Sequence, residues 1–224
     1  MAARDFRSRL ARRASRAGLS LSAAVLEKLV VYYDLLERWN RKINLTALDD
    51  PDQSIDRLLL EPLLAARYIP AGDPVSLIDV GSGGGSPALP LAIMAGSRAR
   101  LTMVEVKTRK SAFLREAVRQ LQIAAQVENS RFEELLARPE LHERFDAMSI
   151  RAVRVEPRLL MTLQAFLKAN GSLLMFRGPS GPDQPASVMP PLEWQLTVPL
   201  IDTLQSRLTV LRKVATTARV PRVM

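Results

Sequence analysis

One stretch of this 224-residue chain combines residue types and spacing that could do chemistry: Asp79-Val80-Gly81-Ser82-Gly83-Gly84-Gly85-Ser86. Four glycines in five positions let the backbone approach a ligand with no Cβ in the way. The loop follows a short apolar run, Val75 to Val80, and leads into a helical stretch from Leu89 to Ala95. Open parallel sheets bind ligands beyond the carboxyl ends of their strands, so this turn is the place to look. A phosphate loop of the Gly-Lys-Ser/Thr kind is excluded, because no lysine follows until Lys107. A dinucleotide fingerprint can be laid on Gly83, Gly85 and Ala88, but it puts Pro87 at the helix entrance. It also sets a pyrophosphate beside Asp79 with no neighbouring cation, which is unfavourable in a low dielectric. A cationic ligand reverses the sign of that interaction. S-adenosylmethionine carries a sulfonium, an ammonium and a ribose diol, and no phosphate.

A second carboxylate fits the same ligand. Glu105 ends the strand-like run Leu101 to Glu105, 24 residues after Gly81, where it could accept hydrogen bonds from both ribose hydroxyls. It also suits the N-terminal charge of a following helix. In Arg131-Phe132-Glu133 a third acid, Glu133, could border the adenine, and Phe132 reads equally as an adenine wall or as core. Asp79, the glycines Gly81, Gly83 and Gly85, and Glu105 are therefore the residues expected to hold S-adenosylmethionine.

The atom that receives the methyl group is constrained by what is missing. The chain has no cysteine and one histidine, His142, which leaves no thiol nucleophile, no disulfide and no histidine-rich metal site. It has no Asn/Asp-Pro-Pro-Tyr/Phe turn to orient an exocyclic amine. A ring nitrogen such as guanine N7 already presents a lone pair, so transfer to it needs alignment and desolvation and no catalytic base.

Around these groups the sequence reads as helices over 5–17, 22–40 and about 52–68, with Ser22 as an N-cap and Pro51 in a first turn. Tyr33 and Trp39 fall on the apolar stripe of the second helix and read as packing core. From Val75 onward strands and helices alternate. Helices are expected at about 108–122, 131–138 and 156–168, and strands at 101–105, 125–128, 145–150 and 172–176. A proline-rich loop, 179–191, precedes two final antiparallel strands, 194–200 and 207–213. This is an α/β chain with a mostly parallel sheet covered on both faces, divided into a helical piece, 1–70, and a sheet-bearing piece, 71–224.

Charge is uneven: 32 Lys+Arg against 23 Asp+Glu give a net +9. Residues 1–18 carry +5, and residues 203–224, with Arg207, Arg212, Lys213, Arg219 and Arg222, carry another +5, leaving the middle near neutral at −1. Basic ends on a neutral body suit a protein that grips a polyanion at its margins. The same arginine skew, 26 of the 32 basic residues, is also what a GC-rich genome produces. The Arg/Ser-rich start has the texture of a transit peptide too, although Leu10 and its alanines fit a packed helix. No apolar run is long enough for a membrane span, and a cytoplasmic protein is expected.

Several blocks resemble the ribosomal RNA small-subunit methyltransferase G family, also called glucose-inhibited division protein B. They are Trp39-Asn40 through Asn44-Leu45-Thr46-Ala47-Leu48, Arg57-Leu58-Leu59-Leu60-Glu61-Pro62-Leu63, the glycine loop with Pro87, Leu89, Pro90 and Leu91, Lys110 to Leu114, Arg131-Phe132-Glu133, Arg151-Ala152 and Arg177-Gly178. The similarity runs from about 35 to 213. It implies a class I S-adenosylmethionine-dependent methyltransferase fold, Rossmann-like and seven-stranded, with an N-terminal helical cap, and methylation of guanine N7 in 16S ribosomal RNA. By position it implies that Gly81, Ser86, Phe132, Glu133 and Arg151 contact the donor, with Glu105 on the ribose. Arg57, Arg177 and Arg207 would face the RNA; the small ribosomal subunit is the implied partner, and a monomer is expected. Arg151 also reads as a helix-entry cation, and Arg207 as a solvated edge charge. The chain departs from the family pattern at Leu58 and Leu208, where histidines are usual, and at Glu61, Pro62, Ser86, Ala88, Ile150 and Arg177. Two other readings compete: a non-catalytic RNA- or ribosome-binding module, and a methyltransferase for another RNA or a small molecule.

Overall fold

The computed structural model describes residues 3–47, 50–151, 156–180, 182–185 and 188–215. The expectations for Leu48, Ala152, Gly181, Arg219 and Arg222 lie outside them. Helices α1 (Ala3–Arg16), α2 (Ala23–Ile43), α3 (Pro51–Ile55) and α4 (Glu61–Ala65) precede the sheet. Strands β1 (Val75–Val80), β2 (Ala99–Val104), β3 (Ala125–Glu128), β4 (Phe145–Arg151), β5 (Leu167–Arg177), β6 (Leu192–Ile201) and β7 (Ser206–Lys213) alternate with α5 (Ala88–Ala95), α6 (Thr108–Leu121), α7 (Phe132–Leu136) and α8 (Pro157–Leu163) up to β5.

The seven strands form one sheet in the order β3-β2-β1-β4-β5-β7-β6. β1 to β5 are parallel, and β7 runs antiparallel to both β5 and β6. Only β7 is reversed, so β6 points with the parallel strands; the expected antiparallel finish applies to one strand. β1 has β2 on one side and β4 on the other, and that change of direction opens the crevice where such sheets bind ligands.

Successive strand residues point to opposite faces, and the core divides accordingly. Leu77, Met103, Ala147, Leu174 and Val210 join one apolar cluster with Phe6, Leu36, Leu89 and Phe113 from α1, α2, α5 and α6. Their neighbours Ile78, Val104, Met148, Leu173 and Leu211 join the other, with Leu135 of α7 and Leu160 of α8. Both faces are dry, which is why β1 reads as one continuous apolar run.

Ser22 caps α2 by accepting a hydrogen bond from the Val25 N–H. Tyr33 stacks on Phe6 and Trp39 meets the edge of Phe113, so the aromatic stripe is packing core. α2 ends at Asn44 in the left-handed region, and Asn40 Oδ1 accepts from the Leu45 and Thr46 N–H groups. The Trp-Asn…Asn-Leu-Thr block is therefore a helix stop, and it presses Leu45 against Gly84, where a Cβ would stand 3.6 Å from Leu45 Cβ.

Two boundaries differ from expectation for backbone reasons. The helix expected over 52–68 contains a π turn, Asp56–Leu60, between α3 and α4. The Glu61 N–H donates to Asp56 O, five residues back, and Pro62 has no N–H to give. The helix expected to reach 168 stops earlier, since β5 begins at Leu167. β5 bends at Asn170, where φ is +65°, and Gly171. A Cβ on Gly171 would lie 2.9 Å from Lys168 O, so only glycine passes there.

Candidate functional site

The crevice holds a cavity of about 240 Å³. Its apolar walls are Val80, Val104, Ile150, Leu159 and Leu163, and its rim carries Gly81, Glu105, Ser130, Phe132 and Glu133. Gly81 has φ +79°, and a Cβ there would meet nothing within 4 Å, so the loop opens directly onto free space.

Glu105 is 7% exposed and firmly held. Its Oε2 accepts from the Gly83 N–H and its Oε1 from the Lys107 N–H, each at 2.8 Å, while Ser111 Oγ and Asn129 Nδ2 donate to its carbonyl. The helix-entry reading of Glu105 is what the hydrogen bonds show. Glu105 satisfies the backbone at the start of α6, and each carboxylate oxygen keeps a further lone pair toward the cavity side. Ser130 Oγ is buried on the cavity wall with no hydrogen-bond partner among the described residues. Buried hydroxyls are rarely left so, and a water or a ligand reaching this wall can supply the partner. Phe132 packs against the α7–α8 core and lines the cavity as well.

The other expected site residues do not line this cavity. Asp79, Ser149 and Arg151 alternate with Val80 and Ile150 along β1 and β4, so they point to the cap face. Asp79 is 1% exposed and accepts a 2.5 Å hydrogen bond from Ser149 Oγ. Burial pushes its carboxyl up to about 6, against the pull of Ser149, Ser82 and the charge of Arg151. The expectation of no cation near the loop is corrected: Arg151 acts on Asp79, and Lys110 Nζ lies 3.9 Å from the Cβ position of Gly83. Gly83 and Gly85 have φ of +50° and +84°, and a Cβ on Gly85 would collide with Leu89 Cδ1 at 2.5 Å.

Ser86 and Arg151 hold the helical cap to the glycine loop. In the π turn the carbonyls of Arg57 and Leu58 lose their α-helical partners, because the Glu61 N–H goes elsewhere and Pro62 has none. Arg151 Nη1 donates to Arg57 O at 2.5 Å, and Ser86 Oγ donates to Leu58 O at 2.8 Å. Arg151 Nη1 also reaches Ser86 Oγ at 3.3 Å, and Nη2 pairs with Glu61 at 2.9 Å. The guanidinium lies over Phe176, 4.7 Å from the ring centre, and its Nε is buried without a partner. Burial raises the Glu61 carboxyl and lowers the Arg151 guanidinium, each opposed by the other's charge. Three of the departures from the family pattern, Glu61, Pro62 and Ser86, thus belong to one interlock. Leu58 and Leu208, at the histidine positions, are both buried in the cap-side core.

Of the residues expected to face RNA, Arg57 is exposed on the π turn. Arg177 donates to Pro182 O and Thr209 Oγ1, and Arg207 donates to Asp183, Pro179 O and Ser180 O. The two are cross-strand neighbours that knit the segment after β5 to the sheet. Burial, then the charge of Arg207, lowers the Arg177 guanidinium. The edge-charge reading of Arg207 is corrected, since β7 lies inside the sheet and β6 forms the edge. At the basic N-terminus, Arg7 pairs with Glu27, Arg9 with Asp52, and Arg13 with Asp52 and Asp56, while Phe6, Leu10 and Ala14 are buried. Much of that charge docks α1 onto its neighbours.

Sequence reading missed Ser149, Asn129 and Ser130. A serine inside the buried run Ala147-Met148-Ser149-Ile150 was the available signal for the first. The other two sit in a loop that only the fold brings to the cavity. Among the described residues no cluster of acids and histidine could hold a metal ion, and no helix is long and apolar enough to cross a membrane.

The family model described as rRNA small subunit methyltransferase G matches residues 25–186. A protein of that name from Xylella fastidiosa (strain M23) is 35% identical over 205 residues, covering 87% of this chain and 90% of the relative. This chain belongs to the rRNA small subunit methyltransferase G family. Another relative of that name, from Halorhodospira halophila, is 37% identical over 161 residues, covering 71% and 73%. Among solved structures, a SAM dependent methyltransferase from Aquifex aeolicus superposes with a TM-score of 0.54 at 15% identity, covering 80% of this chain and 98% of that one. The fold is the Rossmann-like methyltransferase fold expected from the sequence.

Proposed function

We propose that this chain transfers a methyl group from S-adenosylmethionine to N7 of a guanine in 16S ribosomal RNA. The observation that carries the reading is Glu105, a buried carboxylate locked at the mouth of a nucleoside-sized apolar cavity with the unpartnered Ser130 hydroxyl beside it. Bound there, the donor supplies an electrophilic methyl group on a positively charged sulfur.

The residues present suit that group. Glu105 would take the ribose hydroxyls; Phe132, Val104 and Ile150, which line the cavity, would flank the base, with Ser130 and Glu133 toward its polar edge. Gly81, with no Cβ, lets the chain pass close to the ligand. Gly83 and Gly85 shape the loop, and Asp79 beneath it adds negative charge that favours a cation. Ser86 and Arg151 contribute by fixing the loop to the cap. Guanine N7 needs no proton removed, so the protein acts by alignment and by excluding water. Arg57 faces the RNA directly, while Arg177 and Arg207 contribute by holding Pro179, Ser180, Pro182 and Asp183. In this reading 1–70 form the cap, 71–224 the catalytic body, and a cytoplasmic monomer acts on the small ribosomal subunit.

Tritiated methyl transfer to naked 16S RNA, to small subunits and to tRNA, with the product mapped by N7-specific strand cleavage, tests the proposal. Label at one guanine N7 of 16S RNA is expected. Label on another atom, or on tRNA alone, overturns it.

A further inference from the structure

Of the basic ends that the sequence offers as a polyanion grip, Arg7, Arg9, Arg13, Arg207 and Lys213 are engaged inside the protein, whereas a different set of cations is free. Arg41 and Lys42 end α2, and Lys107, Arg109 and Lys110 begin α6; among the described residues none has a carboxylate within ion-pair distance, and all but the partly exposed Lys110 are exposed. The two helices run antiparallel. Trp39 touches Phe113, and further toward the end of α2 and the start of α6, Leu45 and Lys110 meet the adjacent Gly84 and Gly83. The last turn of α2 therefore lies beside the first turn of α6, and the five cations form one cluster. No acid interrupts 38–47 or 106–115.

The cluster borders the glycine loop. Lys110 Nζ approaches Gly83, and Leu45, just past α2, packs on Gly84. At the other end of the same loop, Ser86 is bonded to the π turn that carries Arg57. Positive charge without an ion-pair partner among the described residues thus stands at both ends of the loop.

We propose that the Arg41–Lys42–Lys107–Arg109–Lys110 cluster is a docking surface for an RNA phosphodiester backbone, which crosses the glycine loop between this cluster and Arg57. It rests on the methyl-transfer reading above, and it moves the principal RNA contact away from the chain ends. Like charges gathered without counter-ions repel one another, and a polyanion relieves that repulsion while releasing its own condensed ions.

The test compares the full-length protein with two triple or double charge reversals, R41E/K42E/R109E on the cluster and R12E/R16E on α1, where neither arginine has an ion-pair partner among the described residues. Lys110 is left intact because it neighbours Gly83. Three quantities are read: equilibrium binding to 16S RNA across a salt series, donor affinity by calorimetry, and methyl transfer by the wild type. The cluster variant should bind RNA at least about 30-fold more weakly, with a salt slope smaller by about 2, a donor affinity within twofold of wild type and an unchanged melting curve. The α1 variant should bind RNA within threefold of wild type. Unchanged RNA binding in the cluster variant, a larger loss in the α1 variant, or a loss that follows donor affinity overturns the docking surface. The two readings fail separately. A wild type that binds RNA through the cluster but transfers no methyl refutes the enzymatic reading alone, and a wild type that methylates 16S RNA while the cluster variant binds that RNA as tightly refutes the docking surface alone.

Discussion

The two faces of the sheet reach the same crevice with similar residues, carboxylates, serines and an arginine, and use them differently. On the α7–α8 side hydrogen-bonding capacity is left over: Ser130 Oγ has no partner, and the Glu105 oxygens accept one backbone bond each. On the cap side it is almost all consumed. Asp79 is paired with Ser149, and Glu61, Arg151, Ser86 and the π-turn carbonyls satisfy one another. Unused polar capacity marks where a ligand belongs, and saturated capacity marks where two parts of the protein are joined. Charge follows the same rule across the surface, where Arg7, Arg9 and Arg13 of α1 are paired and, among the described residues, Arg41, Lys42, Lys107, Arg109 and Lys110 are not.

The sharpest way to break this contrast is Arg151→Ala. It leaves Glu61, with a side chain 5% exposed, buried without its counter-ion. Unfolding in urea should show a loss of about 3–5 kcal/mol, whereas Arg151→Met paired with Glu61→Leu should recover most of it. If Arg151 instead served mainly the donor, the single variant would keep its stability and lose donor affinity.

Asp79 gives a pH test with a definite sign. Its folded-state pKa, raised to about 6, lies above the unfolded value, so the folded state binds the proton more tightly. Stability from this group should therefore rise as pH falls from 7 toward 4, by up to about 3 kcal/mol, and level off below the unfolded pKa. Asp79→Asn should remove that pH dependence. Donor affinity, which favours the charged carboxylate, should fall below about pH 6 in the wild type and not in the variant.

On the cavity side, Glu105→Ala should weaken donor binding by about 100-fold in calorimetry, the scale of two charge-assisted hydrogen bonds. An unchanged affinity would remove the distinction between the two faces. The smallest effect is expected for Ser86→Ala, about 1 kcal/mol of stability from one hydrogen bond to a carbonyl, with donor affinity nearly unchanged. A donor-affinity loss as large as that of Glu105→Ala would return Ser86 to the ligand.

Removing α1 bears on the same comparison. Phe6, Leu10 and Ala14 are core residues, so truncation should lower the melting temperature measurably. A purely peripheral basic tail would leave the melting temperature unchanged.

Much of this protein was legible along the chain. Alternating strands and helices, the glycine loop and Glu105 follow from local rules: periodicity sets which residues face a core, glycine alone tolerates the loop's positive φ at Gly81, Gly83 and Gly85, and a strand end followed by a helix places an acid at a sheet edge. The bend in β5 at Asn170 and Gly171 was not legible, because it depends on the crowding of Gly171 by carbonyls of β4 and of its own strand. Nor was the π turn, since Pro62 alone forecasts a lost hydrogen bond and not which side chains replace it.

The sequence by itself determined the fold class, the glycine loop, the acid that bonds to it and the family, because each depends on neighbours a few residues apart or on a shared pattern. Tertiary structure alone decided which face each polar group serves. Ser86, Arg151 and Glu61 come from three distant segments, and a charged group's role depends on whether a partner across space has already satisfied it. The same long-range pairing decided which of the 32 basic residues remain available to a polyanion.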